Sequence, residues 1–226
     1  MTMSDINSDI FEQISLNDFI SHYNADSILI DVIKDVCFCV KLSHKYGPWI
    51  AGGVLRRIVQ GVNFENYTGD IDIFINNREQ YNEITEYLTR HHYKHETKSI
   101  WSDTYSYNIK YYTKTILVQV IKKEFFESPE HVIKSFDLCN SMLITDGLNV
   151  LYNVKAIENI KTRTLEYNKK YVDFSTSADK TPSQGWVLKR LEKFLSNGYE
   201  FKNKHERNNF LTILNKAKIS SQEQYM

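Results

Sequence analysis

Between Trp49 and Ile75 the hydrophobic period of the chain changes twice, and this stretch constrains the fold more than any other. Gly47-Pro48 breaks what precedes it, because proline cannot continue a helix and glycine accepts the turn; Trp49-Ile50-Ala51 then reads as a short buried strand. The strand ends at Gly52. Val54, Leu55, Ile58 and Val59 fall on one helical face, with Arg56, Arg57 and Gln60 on the other, exposed one, and Gly61 stands where a C-terminal cap belongs. From Asp70 the period returns to two. Ile71, Ile73 and Ile75 alternate with Asp70, Asp72 and Phe74, so the two aspartates share one face of a strand whose other face is buried.

The flanking sequence extends this into an α/β (α+β) fold, a mixed sheet flanked by helices. Apolar residues at helical spacing predict a core helix over 28–45, with Lys41, His44 and Lys45 suited to its carbonyl end. A helix is expected from about Arg78 to Arg90. Residues 93–121 are rich in Tyr, Thr, Ile and Val and predict a meander, with Tyr112-Thr113-Lys114-Thr115 as the hairpin turn and Ile116 to Ile121 as a central strand. Ser128-Pro129-Glu130 opens a short helix, and strands from Cys139 to Thr145 and Asn149 to Tyr152 flank the turn signal Asp146-Gly147. Past residue 153 strand patterning fades. Trp186 to Leu195 and Lys204 to Lys218 read as helices, which divides the chain into a first domain, 1–152, and a small, mostly helical C-terminal part, 153–226. Segments 1–25 and 219–226 are expected to be partly disordered.

Composition narrows the function classes. In 226 residues Lys plus Arg equals Asp plus Glu, 28 each, so no global field draws the protein to a polyanion, and any such site must be a local patch. The three cysteines, Cys37, Cys39 and Cys139, form no C-x-x-C pair and read as reduced, buried thiols of a cytoplasmic protein. No apolar run reaches the ~18 residues of a membrane span, and the polar N-terminus lacks the regions of a signal peptide, so no membrane partner is expected.

Two carboxylates one residue apart on a strand face direct their oxygens into one space, which suits a hard cation such as Mg²⁺ that keeps waters and bridges to phosphates. An Asp-x-Asp pair is equally at home as two solvated side chains, and a Gly-Gly after a strand is often only a tight turn. Their order in one unit is the informative point.

Gly52-Gly53-Val54-Leu55-Arg56 followed by Asp70-Ile71-Asp72-Ile73-Phe74 resembles the signature of the DNA polymerase beta-type nucleotidyltransferase superfamily, in the flavour of CCA-adding enzymes and poly(A) polymerases. The resemblance covers roughly 47–145. It implies that Gly52 and Gly53 contact the phosphates of an NTP and that Asp70 and Asp72 hold Mg²⁺ or Mn²⁺. It also implies a third carboxylate within an apolar-acid-apolar triplet on a neighbouring strand. Here that triplet is Val118-Gln119-Val120, and a glutamine carries no charge and cannot take a proton. Asp137, before the next strand, is a candidate replacement, or else a cap or turn residue.

Arg56, Arg57 and Lys189 are the candidates for triphosphate contacts. The basic residues Lys155, Lys161, Arg163, Lys169, Lys170, Lys189, Arg190 and Lys193, interleaved with Tyr167, Tyr171, Trp186 and Phe194, form either a phosphate-binding and stacking surface or the wet face of helices. His91, His92, His95 and Glu96 crowd together, but solvated or core-satisfied histidines fit their setting better than zinc. The expected activity is transfer of an NMP from an NTP to a hydroxyl of an RNA 3′ end, a protein or a small molecule. A catalytically silent relative that binds a nucleotide or protein partner through the same cleft is the alternative, and an unrelated fold with an accidental motif is a third.

Overall fold

The computed structural model describes residues 10–24, 27–38, 47–62, 66–91, 93–99, 101–109, 114–168, 184–208 and 210–212. Strands β1 (Phe11–Ser15), β2 (Trp49–Ala51), β3 (Asp70–Phe74), β4 (Lys94–Lys98), β5 (Ser102–Ile109), β6 (Lys114–Ile121), β7 (Leu143–Thr145) and β8 (Asn149–Asn153) form one sheet, in the order β1-β8-β7-β2-β3-β6-β5-β4. The sheet is mixed: β3 and β6 run parallel, and every other neighbouring pair is antiparallel. Helices α1 (Leu16–Tyr23), α2 (Ser27–Phe38), α3 (Gly53–Val59), α4 (Arg78–Arg90), α5 (Pro129–Lys134) and α6 (Val154–Lys161) accompany it.

The core follows from the alternation. Ile71 and Ile73 of β3 and Ile116, Val118 and Val120 of β6 are buried, and they join Val54, Leu55 and Ile58 of α3 and Val36 and Cys37 of α2. Side-chain caps fix helix entries where the sequence offers Ser or Asn: Ser15 accepts from Asp18 N, Asn77 from Gln80 N and Ser128 from His131 N. Cys37 and Cys139 are buried free thiols, and burial pushes Cys139 up to about 12; Cys39 lies outside the described residues. Among the described residues no helix is long and apolar enough to cross a membrane.

The C-terminal part adds a smaller cluster of Leu138, Leu165, Tyr167, Phe194, Tyr199 and Phe210. It is built from α7 (Gln184–Ser196), a short parallel pair of β9 (Thr164–Leu165) and β10 (Glu200–Phe201), and helical residues at 204–208 and 210–212. The rest of the helix expected to Lys218 lies outside the described residues.

Several boundaries differ from the sequence expectations. Residues 10–24 are ordered as β1 and α1, not disordered, because β1 pairs with β8 along its length and Leu16 and Phe19 enter the core. Cys139–Ser141 is a 3-10 turn and the strand begins only at Leu143. Lys114 and Thr115 belong to β6, paired with Ile109 and Asn108, and not to a turn; Tyr112 and Thr113 lie outside the described residues. The helix expected over 28–45 is described only as Ser27–Phe38.

Candidate functional site

Parallel register decides what stands beside the aspartates. Asp70 pairs with Leu117, Asp72 with Gln119 and Phe74 with Ile121, so these side chains share one face of the sheet. Gln119 is therefore not a core amide. It stands half-buried in line with Asp72, and Thr104 of β5 continues the row. Leu117, 40% exposed, gives the same face an apolar step beside Asp70.

The start of β3 is held by Tyr67, whose buried hydroxyl donates to the carbonyl of Asp70 at 2.5 Å. Gly69 is required there, since a Cβ would come within 2.7 Å of that hydroxyl. On the other side β2 ends next to Asp72, with Ala51 as its cross-strand partner. Gly52 then turns the chain with φ 79°, ψ −122°, a conformation closed to other residues, while its N–H donates to Leu143 O at 3.3 Å. A Cβ on Gly52 would lie 3.8 Å from Asp72 Oδ2, so the turn and the carboxylate are immediate neighbours. Gly53 is more open, with only Arg56 Nη2, at 4.0 Å, near such an atom. Phe136, edge-on to Phe74 at 5.7 Å between ring centroids, closes the wall behind Gly52.

Neither the Asp70 nor the Asp72 carboxylate has a hydrogen-bond or ion-pair partner among the described residues. Burial, then the charge of Asp70, pushes Asp72 up to about 7, against the opposing charges of Arg190, Lys193 and Arg56. Two like charges side by side, with cationic charge near but no cation in direct contact among the described residues, are what a divalent ion would relieve. Among the described residues no group of three His, Cys, Asp or Glu side chains could hold a metal; two carboxylates alone suit an ion that keeps waters and binds phosphate.

The cationic side of the site differs from expectation. Arg56 does not lie on an exposed face of α3: it is 9% exposed, with its guanidinium 4.4 Å over the ring of Phe194 from α7. Helix α7 covers that face, and burial lowers Arg56 to about 10. Arg57 lines a separate cavity at the far end of α3. Lys189 is exposed on α7, whereas Arg190 and Lys193 direct their charges at Asp72. Arg190 Nη1 also donates to Asp137 Oδ1 at 2.5 Å, so the buried Asp137 carboxylate is engaged by that ion pair. Tyr67 and Phe136 join the site without having been expected there, and the spacing of Tyr67 from Gly69 is the signal that could have raised the first; Arg190 and Lys193, read from the sequence as either a phosphate-binding surface or the wet face of helices, are the members of that set whose charges act on Asp72.

Other clusters resolve as structure. His91 stacks on Tyr87 and His95 packs edge-on to Tyr105, while His92 lies outside the described residues. Lys155 pairs with Glu166 at 3.0 Å and Lys161 sits over Tyr23; Lys169, Lys170 and Tyr171 are outside the described residues.

Comparison with known proteins bears on both fold and family. The sequence model of Gad2, "Gabija anti-defense 2 family protein", matches residues 11–163. No curated protein sequence matches the chain. A solved CCA-adding enzyme in complex with ATP superimposes with a TM-score of 0.63 at 12% identity, over 96% of this chain and 48% of that one. The same enzyme type with CTP gives 0.60 at 13% identity, over 96% and 49%. The chain thus spans about half the length of these structures, and what it shares with them is the nucleotidyltransferase-like fold.

Proposed function

The chain belongs to Gad2, the Gabija anti-defense 2 family, and we propose that it acts as a metal-dependent nucleotidyltransferase, moving an NMP from an NTP to a hydroxyl with release of pyrophosphate. The observation that carries this is the unpartnered pair Asp70 and Asp72 beside the Gly52 turn, on a fold shared with CCA-adding enzymes. Asp70 and Asp72 would hold Mg²⁺ or Mn²⁺, which when bound supplies positive charge against the triphosphate and acidifies the hydroxyl.

The chain's own residues position the rest. Gly52 makes the turn, its N–H already given to Leu143, and Gly53 lets a phosphate approach the backbone at the start of α3. Arg56, Arg190 and Lys193 provide a fixed positive field at the same place. Leu117 offers an apolar surface that a base or sugar can cover. In the transfer, the acceptor oxygen bonds to the alpha phosphorus as the bond to pyrophosphate breaks, and the hydroxyl proton passes to solvent water. Gln119 can accept a hydrogen bond from that hydroxyl at Oε1 but cannot take its proton. The family description supports a role against Gabija, and the acceptor is a hydroxyl on a protein, an RNA 3′ end or a small molecule.

One observation favours a second reading. Gln119 occupies the register position beside Asp72 where a third acid would stand, which supports a silent relative that binds a nucleotide or protein partner through the cleft. Incubation with each labelled NTP and Mg²⁺ or Mn²⁺, alone and with RNA or Gabija proteins, separates the two. Labelled product that disappears in Asp70→Ala and Asp72→Ala supports the transferase. Saturable nucleotide binding with no product from any acceptor supports the silent binder.

A further inference from the structure

The C-terminal end of α3 borders a second polar cavity, of about 430 Å³, that the chemistry above does not use. Arg57, Gln60, Arg163, Ser196, Asn197 and Gly198 line it. Arg57 reaches in from α3, where its Nη1 donates to Gln60 Oε1 at 3.3 Å; Gln60 Nε2 in turn donates to the buried Tyr199 hydroxyl at 2.8 Å. Arg163 enters from the turn after α6. Its backbone is left-handed, with φ 52°, and its carbonyl accepts from Glu200 N at 2.9 Å, which ties the turn to β10. Gly198, with φ 76°, faces it, and a Cβ there would stand 3.3 Å from Arg163 Nη1, so the glycine leaves room for the guanidinium. Tyr199 feels the charges of Arg56, Arg57 and Arg163 together, which oppose the rise that burial imposes on its phenol.

No carboxylate lines this cavity among the described residues, and neither Arg57 nor Arg163 has an ion-pair partner among them. Elsewhere in the C-terminal part three cations are met by acids: Lys155 and Lys202 by Glu166, and Arg190 by Asp137. Two guanidinium groups gathered in a concave site without an acid repel one another, and an anion relieves that repulsion. A planar fork of N–H donors is also the group best suited to phosphate oxygens, and the Ser196 hydroxyl and Asn197 amide add neutral hydrogen-bonding groups.

We propose that this cavity binds a phosphate group of the acceptor, separately from the nucleotide held at Asp70 and Asp72. The cavity stands on its own geometry; naming its ligand as the acceptor rests on the transferase reading. Gly53 and Gln60 are separated by roughly 10 Å along α3, at about 1.5 Å per residue, so a molecule anchored at one end can present a hydroxyl at the other. The phosphate belongs either to a phosphodiester strand or to a phosphorylated small molecule.

The test is calorimetric titration of the full chain with inorganic phosphate and a single-stranded oligoribonucleotide in chelator, and with a non-hydrolysable NTP in Mg²⁺. Phosphate or oligoribonucleotide binding should weaken at least tenfold in Arg163→Gln, and to a similar degree in Ser196→Asp, which supplies the missing acid. Tighter binding of the oligoribonucleotide than of phosphate identifies the phosphodiester source, and equal binding identifies the small phosphorylated one. The proposal is overturned if both variants, folded by circular dichroism, bind within twofold of the wild type, or if neither phosphate nor oligoribonucleotide binds the wild type. It is also overturned if NTP affinity falls in parallel in Arg163→Gln, which would merge the cavity with the nucleotide cleft. The phosphate and oligoribonucleotide readouts need neither metal nor turnover, so a failure of nucleotidyl transfer leaves them intact.

Discussion

Glu166 in the C-terminal part and Asp72 on the sheet are both acids drawn partly out of water, and their surroundings treat them in opposite ways. Glu166 accepts from Lys155 Nζ and Lys202 Nζ at 3.0 Å each, with Asn159 close by at 3.4 Å. Although burial pushes it up, those hydrogen bonds prevail and hold it below its ordinary value. Asp103, on the opposite face of the sheet from Asp72, is likewise met by Lys122 at 2.6 Å and by the Tyr81 hydroxyl. Asp72 has no such partner among the described residues and is pushed up to about 7. Acids that serve the scaffold are neutralised from within the chain, whereas the pair beside the glycine turn is left for something from outside.

The largest expected effect tests the satisfied acid. Glu166→Gln leaves two lysines around a neutral amide and should lower stability by about 2 kcal/mol, below the about 3–5 kcal/mol of a fully buried pair because Lys202 is partly exposed; the midpoint of urea unfolding reads this directly. An unchanged midpoint would mean that the triad is decoration and that the contrast with Asp72 is empty.

Asp72→Asn should move the other way. A carboxylate raised in the folded state stabilises most when protonated, so the contribution of Asp72 is full below about pH 4 and is lost as pH rises through about 7. Without metal the variant should gain on the order of 1 kcal/mol at pH 8. That is less than the about 1.4 kcal/mol that goes with each tenfold change in proton affinity, because the site is partly open to water. The gain should vanish near pH 4. Glu166 has the opposite sign: its stabilisation is present above its unfolded value and is lost as pH falls, so the Glu166→Gln deficit should shrink in acid. Mg²⁺ or Mn²⁺ at pH 8 should raise the melting temperature of the wild type and not of Asp72→Asn.

Tyr67→Phe removes the hydroxyl that ties Asp70 O, and should cost about 1 kcal/mol in chemical denaturation. If that loss is confined to metal-free protein, Tyr67 positions the acid pair as well as the strand. The smallest effect is expected for Gln119→Glu. A third acid beside Asp72 should lower metal-free stability by about 0.5 kcal/mol through like-charge pairing across strands. The same change should enlarge the stabilisation by Mg²⁺; no change in the metal response would separate Gln119 from the cleft.

The sheet was largely legible because alternation and turn chemistry coincide there. Ile71 and Ile73 against Asp70 and Asp72 fixed a face, and Gly52 fixed the turn before α3. What escaped was whatever long-range contact decides. Arg56 reads as a solvent-facing residue on α3 until α7 is laid over it, and nothing local announces Phe194 as its cover. Residues 10–24 look polar and loose, yet β8 supplies a partner strand that the local sequence does not reveal. The pairing of Asp137 with Arg190 spans the chain from before β7 to α7, a distance over which spacing carries no information. At the site, the identity of the aspartates was readable and the source of the surrounding positive charge was not.

The parallel ladder of β3 on β6 fixes Asp70 against Leu117, Asp72 against Gln119 and Phe74 against Ile121, while β5 holds β6 from the other side from Ser102 to Ile109. With a side-chain period of two, a slip by one residue would set Val118 or Val120 beside Asp72, and two flanking strands oppose that slip. The amide at this place is therefore not an accident of alignment. Glutamine and glutamate codons differ by a single base, so placing a carboxylate here lies one mutation away, with no change in backbone needed to reach it.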